Sequence, residues 1–366
     1  MRIRRTIATC LTALSLSLVA SSTSLSAPAR AATAYVDGIS DQSLPAWDGG
    51  FYHGYFTGLF NDAWVNGPDS HITLARYVVQ WNVLSGKYSR YLSEFEAWLS
   101  DVTTIDLQPE IALTSYDGVY PSSPSEYQIR LEQILARVSA MGHPVRYLEA
   151  WNEPNDQGEE SAANAANFTN AASATCGAGY GCTVIAGDFE DSPNVAGYED
   201  QYVKGLDPVP VDWGVHPYYS VEEESEAPFA NVRKHLPNGG VGERIWFTEI
   251  AARECSDFGG NLVENGEVGQ ARRANWLVNT LIKNVRPEHV FYYEFLLRER
   301  RQPSCESEGS DGALYTPSSD PAEPDRPRLA ASYIWGGGSA MGAYSDESSA
   351  AFMPNAAQAT LTGVGL

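Results

Sequence analysis

Two glutamates close apolar runs in this chain and could share one reaction. Glu153 lies in Trp151-Asn152-Glu153-Pro154-Asn155, directly after Val145-Arg146-Tyr147-Leu148-Glu149-Ala150, and Glu249 ends Arg244-Ile245-Trp246-Phe247-Thr248-Glu249. Paired carboxyl groups about 5–5.5 Å apart can break an acetal by double displacement. One gives a proton to the departing oxygen while the other attacks the carbon and forms an ester. The acid must be protonated at working pH, so its pKa must be raised, and the nucleophile must stay ionised beside hydrogen-bond donors. Once the ester forms, the nucleophile's charge is gone, the acid's pKa falls, and it can act as base towards water. His216 in His216-Pro217-Tyr218-Tyr219, Arg76 inside an apolar run, and Glu294 in Phe291-Tyr292-Tyr293-Glu294-Phe295 are further polar side chains at or near strand ends.

The elements that must position these groups alternate along the chain. Strands are predicted over Thr33–Ile39, Ile72–Trp81, Leu107–Thr114, the run before Trp151, Thr183–Gly187, Val211–Tyr219, Ile245–Ala251 and Val290–Leu297. Apolar residues at helical spacing lie between most of them. These cover Tyr91 to Val102, Tyr127–Met141 with Gly142 as its stop, Ser161–Ala174, Tyr198–Leu206, Phe229–His235 and Ala271–Val285. Strand–helix alternation predicts a parallel sheet with covering helices. Eight such strands over about 300 residues fit a single closed α/β barrel, the (β/α)8 TIM barrel, whose catalytic residues come from strand C-terminal ends. Glu153 and Glu249 then belong to strands four and seven. Adjacent residues on an ideal strand point to opposite faces, so strand four must break its alternation if Asn152 and Glu153 both face the site.

The first 31 residues read as a secretory signal peptide. Arg2, Arg4 and Arg5 precede an apolar stretch from Thr6 to Ala20, and Ala29-Arg30-Ala31 supplies a small-residue cleavage site. The catalytic domain is then 32–366, and the expected location is extracellular. Cleavage removes four arginines and no acids, which takes the formal charge from −22 to −26. Such a surface repels nucleic acid and anionic membranes and suits a neutral substrate, although solubility alone would also explain it. No later apolar run approaches the roughly 20 residues of a membrane span. Of five cysteines, removal of Cys10 leaves four, an even number for an oxidising compartment. Cys176 with Cys182 is expected to close a small loop, leaving Cys255 for Cys305. The Pro-, Ser- and charge-rich stretch 298–328 is expected to be a long loop beside the site, and the tail after Gly336 shows no period.

The strand-four pentapeptide, with Trp246-Phe247-Thr248-Glu249, resembles clan A of the glycoside hydrolases, retaining barrel enzymes similar to families 39 and 5. The resemblance spans about Tyr35 to Leu297 and implies that Glu153 is the acid/base and Glu249 the nucleophile. It further implies that Asn152 binds the sugar hydroxyl beside the anomeric carbon, Tyr218 hydrogen-bonds the nucleophile, and Arg76 holds it ionised. Pairing of Arg76 with an interior acid such as Glu149 is the alternative. The clan shows an aromatic ring near the end of strand eight, where Glu294 could bind a hydroxyl or Tyr293 could stack. His216 is either a substrate ligand or a structural histidine. Trp47, Trp64, Trp81 and Trp213 are stacking platforms or core.

The resulting reading is a secreted retaining glycoside hydrolase acting on a β-linked poly- or oligosaccharide with no metal and no organic cofactor. An exo-acting, β-xylosidase-like enzyme is one alternative, and a non-catalytic carbohydrate-binding barrel is another. A metal-dependent hydrolase would need convergent histidines, and the six here are scattered in sequence.

Overall fold

A computed structural model describes residues 36–40, 72–104, 106–156, 160–192, 196–254, 266–294, 312–316, 326–328 and 330–334. All belong to the unit Ala32–Leu366. Eight strands, β1 (Gly38–Ser40), β2 (Leu74–Gln80), β3 (Gln108–Thr114), β4 (Tyr147–Glu149), β5 (Thr183–Glu190), β6 (Asp212–His216), β7 (Arg244–Ile250) and β8 (His289–Tyr292), pair in chain order. Every neighbouring pair is parallel, and β1 against β8 closes the barrel. The expected fold class is the one found.

Strands buried on both faces explain the long apolar runs of the sequence. Alternate residues face the covering helices: Tyr77 of β2 meets Phe95 and Trp98 of α1 (Ser89–Thr104). A second, separate cluster of Leu74, Ile185, Trp246 and Phe291, with Tyr147 against it, draws on strands across the barrel and fills the interior floor. Gly38 is required there, because a Cβ would sit 2.5 Å from the Phe291 ring. Above this floor the inward residues turn polar, beginning with Arg76 two positions after Leu74.

The helices start where capping residues satisfy the free amides of the first turn. Ser123 accepts from the Glu126 amide at 3.1 Å to open α2 (Pro124–Ala140), and Ser161 accepts from Asn164 N at 3.3 Å to open α3 (Ala162–Thr175). Next come α4 (Ala196–Gly205), the short α5 (Tyr218–Glu222) and α6 (Ala227–His235), then α7 (Gly266–Trp276), whose course widens over Leu277–Ile282 and ends at Val285. Among the described residues no helix is long and apolar enough to cross a membrane.

Three expectations need correction. Strand six stops at His216 rather than Tyr219. Pro217 has no N–H for the sheet, and the amides of Tyr219 and Ser220 turn to the Asp191 carboxylate at 2.8 and 3.0 Å, starting α5. Strand eight stops at Tyr292, so Tyr293 and Glu294 lie beyond it. The stretch 298–328 is not wholly a loop: Tyr315–Thr316 pairs antiparallel with Arg326–Pro327, and Arg328 forms an ion pair with Glu254 after β7. The Cys176–Cys182 disulfide is present between α3 and β5. Cys255, Cys305, Trp47, Trp64, the first 31 residues and the tail after Gly336 lie outside the described residues.

Candidate active site

The polar residues above the barrel floor converge on one guanidinium. Arg76, fully buried on β2, donates through Nε and Nη2 to both oxygens of Glu149 at 2.8 and 2.7 Å. Nη2 also donates to Asn152 Oδ1 at 2.8 Å and Asp188 Oδ2 at 3.0 Å. Nη1 donates to Ser40 Oγ at 3.2 Å and to Glu249 Oε2 at 2.7 Å. Arg76 therefore contacts both Glu149 and the strand-seven glutamate. A rigid fork with five donors suits such divided bonding better than a lysine would.

Glu249 receives its second bond from α5. The Tyr218 hydroxyl donates to Oε1 at 2.6 Å. Burial, then the negative charge of Glu249, pushes the Tyr218 phenol well above its usual pKa, so it remains a neutral donor. Its ring stands edge-on to His216, with the Arg253 guanidinium over it at 4.4 Å. Tyr218 reaches Glu249 because β6 ends two residues earlier, so the mistaken strand boundary matters to the chemistry.

Strand four breaks its alternation where the geometry required it. Sheet pairing stops at Glu149, Asn152 N donates to Leu113 O at 2.8 Å, and Glu153 adopts a left-handed φ of 43°. That conformation is costly for a residue with a Cβ. It brings the two side chains together, with Asn152 Nδ2 donating to Glu153 Oε2 at 3.3 Å. The other oxygen, Oε1, lies 2.8 Å from His216 Nδ1. One carboxylate oxygen each of Glu153 and Glu249 and one nitrogen of His216 all fall within 4.8 Å of one another. Glu153 is the more open of the two glutamates, its side chain 25% exposed against 10% for Glu249.

Behind these groups stand acids that the sequence reading passed over. Asp188 on β5 lies 2.8 Å from His216 Nε2 and accepts from Thr248 Oγ1 and Arg76. Glu110 on β3 is fully buried beside Glu149. Burial, then its hydrogen bond and repulsion with Glu149, drives Glu110 well above the carboxylate range, and burial lifts Glu149 to about 7 against the pull of Arg76. Asp188 differs: burial raises it, but His216 and Arg76 outweigh that and hold it below its ordinary value. Each of these acids interrupts an apolar run in the sequence, which was the available signal. Glu190, at the end of β5, is pushed to about 8 by burial and by Glu153 and Asp156.

The proton distribution departs from expectation at Glu153. Burial raises its pKa, but the hydrogen bond and charge of His216 outweigh burial and hold it below the ordinary carboxyl value. His216 is driven well above the usual imidazole value, because Asp188 and Glu153 on its two nitrogens overcome the penalty of burial.

Glu294 is fully buried, and Tyr293 is half-buried near enough to Tyr218 to act on it electrostatically. The peptide between them is cis. Trp81 and Trp213 are core residues, Trp81 donating to Val119 O and Trp213 to Glu243. Among the described residues two groups could offer ligands to a metal, Glu149 with Asp188 and His216, and Glu153 with His216 and Glu249. Histidines scattered in sequence therefore did not preclude such a group. Arg76 already donates to three of those carboxylates, and both nitrogens of His216 face carboxylates, so this donor set is arranged around organic cations.

No protein-family model and no curated protein sequence matches the chain. Solved structures do. A family 5, subfamily 18 glycoside hydrolase from Streptomyces cattleya, in complex with GlcNAc, superposes with a TM-score of 0.53 at 13% identity over 83% of this chain and 80% of its own. A family 5 glycoside hydrolase from Prevotella bryantii B14 gives 0.51 at 11% identity over 83% and 96%. A subfamily 18 enzyme from Bifidobacterium longum, in complex with Manβ1-4GlcNAc, gives 0.54 at 11% over 82% and 77%. The likeness expected to family 39 is not shown by these neighbours. The chain has the closed, eight-stranded parallel barrel that family 5 glycoside hydrolases share.

Proposed function

We propose that this protein is a retaining glycoside hydrolase in which Glu249 is the nucleophile and Glu153 the acid/base. The observation that carries the reading is the approach of Glu153 and Glu249 oxygens to within 4.8 Å at the C-terminal ends of β4 and β7. That spacing suits a covalent intermediate, because an inverting pair stands farther apart to admit water. Glu249 attacks the anomeric carbon, the glycosidic C–O bond breaks, and the leaving oxygen takes its electron pair and a proton from Glu153. Water then gives its proton to Glu153 and attacks the same carbon, releasing Glu249. Arg76 and Tyr218 aim the nucleophile, and Asn152, held by Arg76, presents its amide nitrogen to the site. No step uses a metal or an organic cofactor.

A carbohydrate substrate with β linkages is consistent with the Manβ1-4GlcNAc and xyloglucan oligosaccharide bound by neighbours of the same fold. Export through residues 1–31 would place the enzyme outside the cell. The test is a panel of polysaccharides and aryl β-glycosides with product analysis, using wild type and Glu249→Ala. Activity lost in the variant is the expected result. Turnover that survives the substitution, or wild-type protein inert on every glycan, overturns the reading.

A further inference from the structure

We infer that Asp188 is a positioning residue for proton transfer: through His216 it fixes the proton that Glu153 delivers. This rests on the proposed function of the site. A histidine beside an acid/base could simply be a neutral hydrogen-bond partner, but here its second nitrogen is not left to water. Nδ1 shares a 2.8 Å hydrogen bond with Glu153 Oε1, and Nε2 lies 2.8 Å from Asp188 Oδ1 as an ion-pair contact rather than an aligned hydrogen bond, with the ring fully buried.

The chain makes local sacrifices to put Asp188 there. Its φ is 57°, the register of β5 against β6 slips between Gly187 and Phe189, and Gly187 itself has a φ of 84°. A non-glycine residue in the left-handed region persists only where its surroundings enforce it. Gly214 on β6 keeps the place open, since a Cβ would meet Thr248 Oγ1 at 2.9 Å and Asp188 Oδ1 at 3.0 Å. Thr248 and Arg76 hold the carboxylate that faces His216. A carboxylate used only to balance Arg76 would not need the bulge, since Glu149 already engages that guanidinium through both oxygens.

The charged and titratable groups facing His216 come from every side of the site. Asp188 is on β5, Glu153 follows β4, Glu249 is on β7 and Tyr218 is on α5. Glu149 of β4 lies within the same cluster, and Glu190 feels the imidazole's charge from the end of β5. The carboxylates of Asp188, Glu153 and Glu249 around the ring favour imidazolium and outweigh its burial, in keeping with the raised pKa of His216 and the lowered one of Glu153.

The Glu153–His216 pair therefore carries one proton more than a carboxylate with a neutral imidazole, and the two titrate as a unit. In the first half-reaction that proton passes from His216 Nδ1 to Glu153 and from Glu153 to the leaving oxygen. Neutral imidazole and carboxylate remain, ready to take a proton from water in the second half. Asp188 stays ionised throughout.

The test is Asp188→Asn, which keeps the shape and removes the charge. Loss of a charge in contact moves a pKa by about 1–3 units, so the pair should release its proton at lower pH. The basic limb of kcat/KM is expected to move down by at least about 1 pH unit, with a larger loss on poor leaving groups than on dinitrophenyl glycosides. Nitrogen-15 NMR of wild-type protein should show both His216 nitrogens protonated at pH 8. A variant pH profile that superposes on wild type, or a neutral wild-type His216 at pH 8, overturns the inference. The NMR result decides it even if the variant does not fold. Wild-type protein inert on all glycosides would sink the functional reading while leaving the Asp188–His216 coupling to the NMR titration.

Discussion

Replacing Arg76 with methionine tests the wiring of the barrel interior most severely. Methionine keeps the length of the stem and removes all five N–H donors. Glu149, Asp188 and Glu249, with side chains 0%, 1% and 10% exposed, would lose contacts of 2.7–3.0 Å together. Removing one partner of a buried ion pair costs about 3–5 kcal/mol. Three acids share this cation, so the upper part of that range is expected at neutral pH. The native state can respond only by taking up protons, and Glu149, already lifted to about 7 by burial with Arg76 in place, would take one first. An acid whose folded pKa exceeds its unfolded value keeps its full stability below the unfolded pKa and loses it as pH rises through the folded one. The penalty of Arg76→Met should therefore be larger at pH 8 than at pH 5. Urea unfolding at the two pH values reads it directly. A loss under about 1 kcal/mol at both, against the range for a broken buried pair, would refute the reasoning, as would equal losses.

The same sign rule applies elsewhere in the fold. Glu199 in α4 is fully buried, neither of its oxygens has a hydrogen-bond partner among the described residues, and burial lifts it to about 9. Wild-type stability should thus decline between about pH 4.5 and 9, and Glu199→Gln should flatten that decline in thermal melts; an unchanged slope would show that Glu199 is solvated. Gly214→Ala forces a Cβ against Thr248 and Asp188, and overpacking of this kind costs about 1–3 kcal/mol. Calorimetry should show that loss together with reduced turnover, whereas full activity would mean Asp188 can move freely.

The barrel could be read from the sequence because buried parallel strands are apolar on both faces, and the acids at the ends of two such runs marked β4 and β7. The Asn152–Glu153 break was readable as well, since strand parity demanded it and the φ of Glu153 supplies it. The proton network was not. Glu149 could be matched to Arg76, but Glu110 and Asp188 stand on other strands, and single acids in apolar runs carry no sign of the further neighbours they face across the barrel. Tyr218 was assigned to a strand because His216-Pro217-Tyr218-Tyr219 has β-forming residues around the proline. The capture of the Tyr219 and Ser220 amides by Asp191, 28 and 29 residues away, has no local trace. The pKa of Glu153, expected to be raised, is instead lowered by its hydrogen bond with His216, a partner 63 residues away that no local pattern reveals.

The central claim is the division of labour between Glu249 and Glu153, and azide rescue of the two alanine- or glycine-substituted enzymes addresses it most directly. With Glu249→Gly, azide in the vacated nucleophile position should restore turnover of an activated aryl glycoside and give a glycosyl azide of inverted configuration. With Glu153→Ala, azide should attack the covalent intermediate and give the retained product. Exchange of those two outcomes would reverse the roles, and inverted products from wild-type enzyme would contradict the double displacement itself.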